Sequence, residues 1–584
     1  MSLVSKAFSD IVTFSRSSNA TRIGPTGRVE YAPHNLLLQS QDFSTTWTNT
    51  RSSEVVNAVA APDGTVTADK LVEDSSASND HVINQTASVS SSTTYTTSVF
   101  LKAGERTWAF INMVDVGISS YRSWFNLSTG QTGTNDSGNS STITSVGNGW
   151  YRCTVTRATT SSQTSVRIEV GLSTGDGVIN YTGDGTSGIY LWGAQLSVGP
   201  YPLDYTPTTS AAVYGPRFDY DPVTLAARGL LIEEQRTNNL SYSEQFDNAA
   251  WTKARSSITA NAATSPGGTV TADQSTIDNT NGFHDACYQT FSATSGTSYT
   301  FSIFVKKNVG IEAVYFYTDA TSPGAIAKFN LTTGAYIGNA PGNGYSAFTS
   351  YSSTALSNGW YRIVATVTAA STNPSTFFTI GMSTNTNDTV AQFTGNGTDN
   401  FYLWGAQLEA GSFATSYLPT LASSVTRSAD VASVNTLSPW FNSVEGSFFV
   451  EADAFNTSSA WSTLIEPNLT SNLAGSRFSL GVVSSAVNLY ALVSNSVTVN
   501  GISSGGAMYA NNAVAKTAFA YKLNDYAISG NGAAVATDTS SAVPTIDQVL
   551  LGNDNEGRRL NGHLRRIAYF PRRLQNAELQ ALTA

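Results

Sequence analysis

The heptapeptide Tyr190-Leu-Trp-Gly-Ala-Gln-Leu196 returns unchanged at Tyr402–Leu408, and each copy closes a long block whose other phrases also match. Trp47 and Trp251 lie 204 positions apart. The same offset relates Pro62-Asp-Gly-Thr-Val-Thr-Ala-Asp69 to Pro266-Gly-Gly-Thr-Val-Thr-Ala-Asp273, and Phe125-Asn-Leu-Ser-Thr-Gly130 to Phe329-Asn-Leu-Thr-Thr-Gly334. It grows to 210 at Asn148-Gly-Trp-Tyr-Arg152 and Asn358-Gly-Trp-Tyr-Arg362, and to 212 at the closing heptapeptide. A kept order of phrases with small insertions at turns means a tandem duplication. Whatever fold the first block adopts, the second must adopt as well.

Within each block the pattern is β. Segments such as Thr94–Leu101, Arg152–Thr156 and Ser165–Val170 alternate apolar and polar residues or run as short β-branched stretches. Asn-Gly, Gly-Asp-Gly and Ser-Thr-Gly turns separate them. Charged residues make up 12% of the 584-residue chain, while aromatics hold at 11%. That aromatic content argues against disorder. The pattern predicts about seven to nine strands per block, in an antiparallel sandwich of jelly-roll type.

A net charge of −10 speaks against a nucleic-acid partner, which would need a basic face. Met1–Phe14 carries one Lys and no continuous apolar core, unlike a signal peptide. No window approaches the ~20 apolar residues of a membrane span, so no membrane insertion is expected. The two cysteines, Cys153 and Cys287, align with Ile363 and Ile83 of the other copy. They therefore read as buried apolar thiols rather than as a disulfide or metal pair.

The chain divides on this reading into an N-terminal arm (1–34), a first jelly-roll module (35–208), a structured connector (209–238), a second module (239–427) and a third region (428–584). The modules open at Asn35-Leu-Leu-Leu and Asn239-Leu-Ser-Tyr. Leu574–Leu582 reads as a short helix with Asn576 as its cap.

The connector carries Arg217-Phe-Asp-Tyr-Asp-Pro222 and Arg228-Gly-Leu-Leu-Ile-Glu-Glu-Gln-Arg-Thr-Asn238. The third region opens with Thr426-Arg-Ser-Ala-Asp-Val-Ala-Ser433 and ends with Leu564-Arg-Arg-Ile-Ala-Tyr-Phe-Pro-Arg-Arg-Leu574. These phrases resemble bacteriophage head-spike and tail-fibre proteins, in which carbohydrate-binding-module-like jelly rolls precede a concanavalin A-like (laminin-G-like) terminal domain. The resemblance covers nearly the whole chain. It implies an all-β protein with two tandem antiparallel jelly-roll sandwiches followed by a concanavalin A-like sandwich. It also implies a homotrimer, assembled in the host cytoplasm into a virion, with the arm holding other virion proteins and the modules adhering to host-surface polysaccharide.

Residues shared by both copies should serve the fold: Trp47/Trp251, Tyr95/Tyr299, Trp150/Trp360 and Trp192/Trp404 are large enough to fill a sandwich core. Residues that differ are the better binding candidates. If Phe125 and Leu127 point inward, alternation places Arg122 and Trp124 on the opposite face; Lys328 replaces Trp124 in the second copy, and Glu312 replaces Trp108. A Trp beside an Arg is a platform on which a sugar ring stacks, or else a Trp covered by a neighbour. The arginine pairs at 558–559, 565–566 and 572–573 make Arg558, Arg565 and Arg572 candidates for acidic polysaccharide, against the plainer reading of solvated strand edges. The Gly-Asp-Gly and Gly-Asn-Gly loops near 183 and 395 read as turns rather than calcium loops, and Asp80-His81 faces a reversed His284-Asp285 with no nucleophile beside it. No cofactor and no metal are expected.

Non-catalytic adhesion to host-surface glycans is thus the expected function. Its alternatives are a purely structural virion decoration and a capsule depolymerase. The latter would need two positioned carboxylates, of which Glu451 and Asp453 offer an incomplete set.

Overall fold

The computed structural model describes residues 8–584, apart from 116–118, 340–345, 456–460, 474, 484–485, 494–495, 498–501, 504–509 and 541. The chain forms two compact units, residues 31–215 and residues 1–30 with 216–584.

In the 31–215 unit, two six-stranded antiparallel sheets face each other. One runs Gln131–Asn135, Arg122–Asn126, Trp108–Asp115, Ser165–Ser173, Val82–Ser88, Thr48–Thr50. The other runs Ser140–Gly147, Trp150–Ala158, Thr94–Ala103, Gly188–Val198, Ala68–Glu73, Ser52–Val59. The core between them holds Trp47, Leu101, Ile111, Phe125, Cys153 and Ile168. The second copy repeats this strand order with strands from Thr252–Ala254 to Asn400–Ala410, around a core that includes Trp251, Phe301, Phe316, Phe329, Ile363 and Phe378. There are more strands than the pattern predicts, because the extra ones are edges with little to bury. Gln131–Asn135 and Ser140–Gly147 are almost wholly exposed and so carry no hydrophobic alternation.

Sequence alignment misplaces the module openings by one residue. Asn238, not Asn239, is the partner of Asn35. Each donates its side-chain amide to two carbonyls, Ala194 and Thr206 in one copy, Ala406 and Leu418 in the other. Each also accepts from the backbone of the closing strand, at Leu196 or Leu408. The cause is one extra residue in the turn from Phe246 to Trp251, compared with Phe43 to Trp47.

The closing heptapeptide is explained by geometry. Gly193 and Gly405 sit at a bulge with φ +63° and +64°, where a Cβ would come within 2.8–2.9 Å of Phe100 or Phe304. Only glycine is comfortable there. The bulge turns the strand so that Gln195 and Gln407 catch the returning tail. Gln195 accepts from Thr206 N, and Gln407 accepts from Leu418 N at 2.6 Å. Trp192 and Trp404 are buried, but outside the sandwich core. They pack on the outer face of their sheet, with Phe100 and Tyr205 or with Phe304 and Tyr417.

The third sandwich draws on three parts of the chain. Its seven-stranded sheet begins with two connector strands, Phe218–Tyr220 and Ala227–Ile232, the second paired to Gly562–Phe570. Its other sheet begins with Thr13–Ser15 of the arm, paired to Val431–Val434. That part of the arm is therefore occupied within the chain rather than held for another protein. Among the described residues the one α-helix is Asn576–Thr583. Gln575, not Asn576, is its cap, with Gln575 N donating to the Glu578 carboxylate at 2.7 Å.

Candidate functional site

The connector and the Arg-Ser-Ala-Asp phrase meet at a buried ionic cluster. Arg217 donates to Glu233 at 2.5 Å and to Asp430; Arg16 of the arm reaches Asp430 at 2.9 Å; Arg427 lies 3.4 Å from Glu233. All five side chains are fully buried. Three guanidiniums face two carboxylates, and the charge of the buried Glu409 also reaches Arg427. Burial alone would raise the Glu233 and Asp430 pKa values, but the surrounding arginines outweigh it and hold both below the ordinary carboxylate range. The phrases that carry the family resemblance are thus structural in this chain, fixing arm, connector and third sandwich in one unit.

Beside this cluster lies a cleft of about 690 Å³. Its floor is the outer face of a second-copy sheet. Ile363, Ala365 and Val367 point into the core, so the alternate residues Arg362, Val364 and Thr366 face the cleft. Across from them in register stand Thr354, Ser352 and Ser350 on the exposed edge strand. Phe413 and Phe455, with ring centroids 6.4 Å apart, form an aromatic side. Asn512 and the arginines Arg22 and Arg228 contribute further donors. The cleft is thus a hydroxyl-rich and guanidinium-rich groove with an aromatic flank.

The carboxylates lining it are already engaged. Glu233 belongs to the ionic cluster and also accepts from Ser416 N and Oγ at 2.8 Å. Asp219 accepts from Ile23 N at 2.6 Å and lies 2.9 Å from His563 Nε2. His563 is bracketed on its other nitrogen by Asp453 at 2.7 Å. Burial disfavours its imidazolium, yet the two carboxylates outweigh burial and push the His563 pKa up to about 9. Asp453 also binds Arg565; burial would raise its pKa, but His563 and Arg565 outweigh burial and hold it below its ordinary range.

No family model and no curated protein matches this chain. Among solved structures it is similar to the CBM40 of the Ruminococcus gnavus IT-sialidase bound to α2,3-sialyllactose, at 18% identity over 24% of this chain and 84% of that one, TM-score 0.21. The CBM22-1–CBM22-2 tandem of Paenibacillus barcinonensis Xyn10C is 11% identical over 65% and 98%, TM-score 0.22. Domains LG4-5 of the mouse laminin α1 chain are 10% identical over 49% and 89%, TM-score 0.18.

The residues singled out from sequence fall elsewhere. Arg122 and Trp124 do lie on the face opposite Phe125, but Trp124 is only 3% exposed. It packs tilted on Phe110 and donates Nε1 to Val178 O at 3.2 Å, so it is no open sugar platform. Trp108 is half-buried in the same small cluster, and the Arg122 guanidinium lies 6.0 Å from the Phe110 ring. These three come together around Phe110. In the second copy Lys328 is buried, its ammonium bound to Asn385 Oδ1 and Thr389 O at 2.8 Å; burial lowers its pKa to about 8. Glu312 is paired with Lys307 at 2.6 Å.

The three C-terminal arginines are each closed on a different carboxylate: Arg558 on Asp554 at 2.6 Å, Arg565 on Asp453, Arg572 on Glu578 at 2.8 Å. They form no joint basic patch of unpaired charge. The paired histidines are not reversed either. His81 and His284 accept equivalent backbone bonds, from Leu172 N and Met382 N, and the mismatch is a bulge between Asp285 and Cys287. Both cysteines are free and buried, and burial pushes both thiols up. In the first loop Asp184 accepts from Thr186 and Ser187, as a turn does.

Sequence reasoning missed the cleft. Its floor residue Arg362 is identical in the two copies, and its neighbours in space are distant in sequence. The usable signal was the paired difference at Ser197/Glu409 and Leu203/Thr415.

Proposed function

We propose that this chain is a non-catalytic adhesin of a virion fibre or spike, which binds glycans of a host surface through the cleft of the 1–30/216–584 unit. The observation that carries this reading is the lining of the cleft. Serine and threonine hydroxyls, asparagine and guanidinium donors, and a Phe413/Phe455 flank suit a polyhydroxylated ring with one apolar face. The virion role rests on the family resemblance of the connector phrases, and homotrimeric assembly with other virion proteins belongs to the same proposal.

A hydrolase reading gains little support from this site. Glycoside hydrolysis needs a carboxylic acid with a raised pKa facing a second carboxylate. Glu233 is instead held low by arginines, and Asp219 is bound to His563. Probing a glycan array with the intact chain at low salt tests the proposal. Binding to at least one glycan class is expected, with no new reducing ends on incubation with capsule or lipopolysaccharide. Silence on the whole array would favour a purely structural decoration, and new reducing ends would restore the depolymerase.

A further inference from the structure

Arg152 and Arg362 are the same residue of the two copies, and their surroundings differ in two respects: Arg152 Nε donates to Ser98 at 3.2 Å where Arg362 Nε has no acceptor, and the tail offers its carbonyl in only one copy. Each guanidinium lies 5.5 Å from the ring of a matched phenylalanine, Phe100 or Phe304, and each donates to a matched serine, Ser98 or Ser302. In the first copy the fork is completed by the returning tail, Arg152 Nη2 donating to Leu203 O at 2.7 Å. The equivalent residue in the second copy is Thr415, and its carbonyl does not accept from Arg362. The Thr415 backbone and hydroxyl are drawn instead to Glu409, the residue that replaces Ser197. The next residue, Ser416, is held by Glu233.

Arg362 is consequently underused. Its Nε is buried with no acceptor, Nη2 has only Ser302, and no described residue accepts from Nη1. Arg22 and Arg228, which also line the cleft, have Glu30 and Asp221 as partners at 3.0 and 2.8 Å. Among the described residues no carboxylate lies within salt-bridge distance of Arg362. Glu409 and Glu233 are acids whose charge bears on it, and their oxygens accept hydrogen bonds from Thr415, Ser416 and Arg217. A half-buried guanidinium with idle donors on a cleft floor is built to receive an anion.

We infer that the cleft selects glycans bearing an anionic substituent, a carboxylate or a sulfate, which docks on Arg362 while the sugar ring lies along the Phe413/Phe455 flank. This rests on the reading of the cleft as a glycan site.

The test is an array of carboxylated, sulfated and neutral oligosaccharides, probed with the intact chain and with Arg362→Gln and Arg152→Gln. Anionic glycans should dominate the hits. Arg362→Gln should weaken them at least tenfold, Arg152→Gln should leave them within twofold, and hits should fade with added salt. The relative strength of the carboxylated and sulfated arms names the anion. Arg362→Lys keeps the charge without the fork and should give an intermediate loss, which covers the case in which Arg362→Gln fails to fold. Neutral glycans bound as well as anionic ones, or Arg362→Gln and Arg362→Lys binding as the parent does, would overturn the inference and leave glycan binding standing. No binding to any class would overturn both.

Discussion

Arg152 and Arg362 stand at the same place in two copies of one module, and Arg152 finds more acceptors in its own protein: its Nε and Nη2 both donate, against Nη2 alone in Arg362. The first copy folds its tail back so that Leu203 O closes the arginine fork. The second copy has Glu409 and Thr415 where the first has Ser197 and Leu203; its tail returns too, but the Thr415 carbonyl does not accept from Arg362. Positions that stayed identical hold the sandwich; a pair that diverged opened a donor to a cleft. Identity between copies therefore marks architecture, and specificity follows from how divergent neighbours present an unchanged residue.

The largest expected effect breaks the setting of the second copy. Asp430→Asn removes a carboxylate shared by Arg16 and Arg217 and leaves buried guanidiniums short of a partner. A loss of about 3–5 kcal/mol is expected. Hydrogen exchange should show protection lost around Val431–Val434 and retained in Thr94–Ala103 of the other unit. Uniform loss in both would contradict the division.

Next comes pH. The folded pKa of His563 lies above the ~6.5 of an unfolded chain. Its contribution is thus fully present below about pH 6.5 and fades as pH rises through 9, on the order of 2–3 kcal/mol. Chemical denaturation at pH 6 and pH 9.5 should show the third sandwich weakening, and His563→Gln should abolish that slope. A slope that persists in the variant would refute the assignment.

Equal treatment of the copies gives a smaller, sharper test. Gly193→Ala and Gly405→Ala both add a Cβ at positive φ against a phenylalanine, and each should cost about 1–3 kcal/mol by denaturant titration. A clear inequality would mean that the bulge does different work in the two modules.

Much of the fold was legible in the sequence because duplication supplies its own control. Two modules with different neighbours still share Trp47/Trp251, Phe125/Phe329 and the closing heptapeptide, so those positions read as structure. The edge strand Ser350–Ala355 was not legible, since every residue in it is exposed and no alternation is imposed. Trp124 shows the limit of face arguments. Alternation places it on the outer face, but only tertiary structure shows the Val178 segment lying over it. Of the arginine pairs, Arg565 shows the same limit, because the Asp453 that neutralises it is brought in by another strand; Asp554 and Glu578, which close on Arg558 and Arg572, lie close by in sequence. The cleft was invisible for the strongest reason: it joins the arm, connector, second module and third sandwich, which no local pattern connects.

The most direct test converts the second copy into the first. Glu409→Ser with Thr415→Leu should release the backbone at position 415 so that its carbonyl closes on Arg362, as Leu203 O does on Arg152. Binding of the strongest anionic array glycan should then fall at least tenfold, with the unfolding midpoint little changed. Unchanged binding, or tighter binding from the removed Glu409 charge, would contradict the claim that divergence at these two positions opens the site.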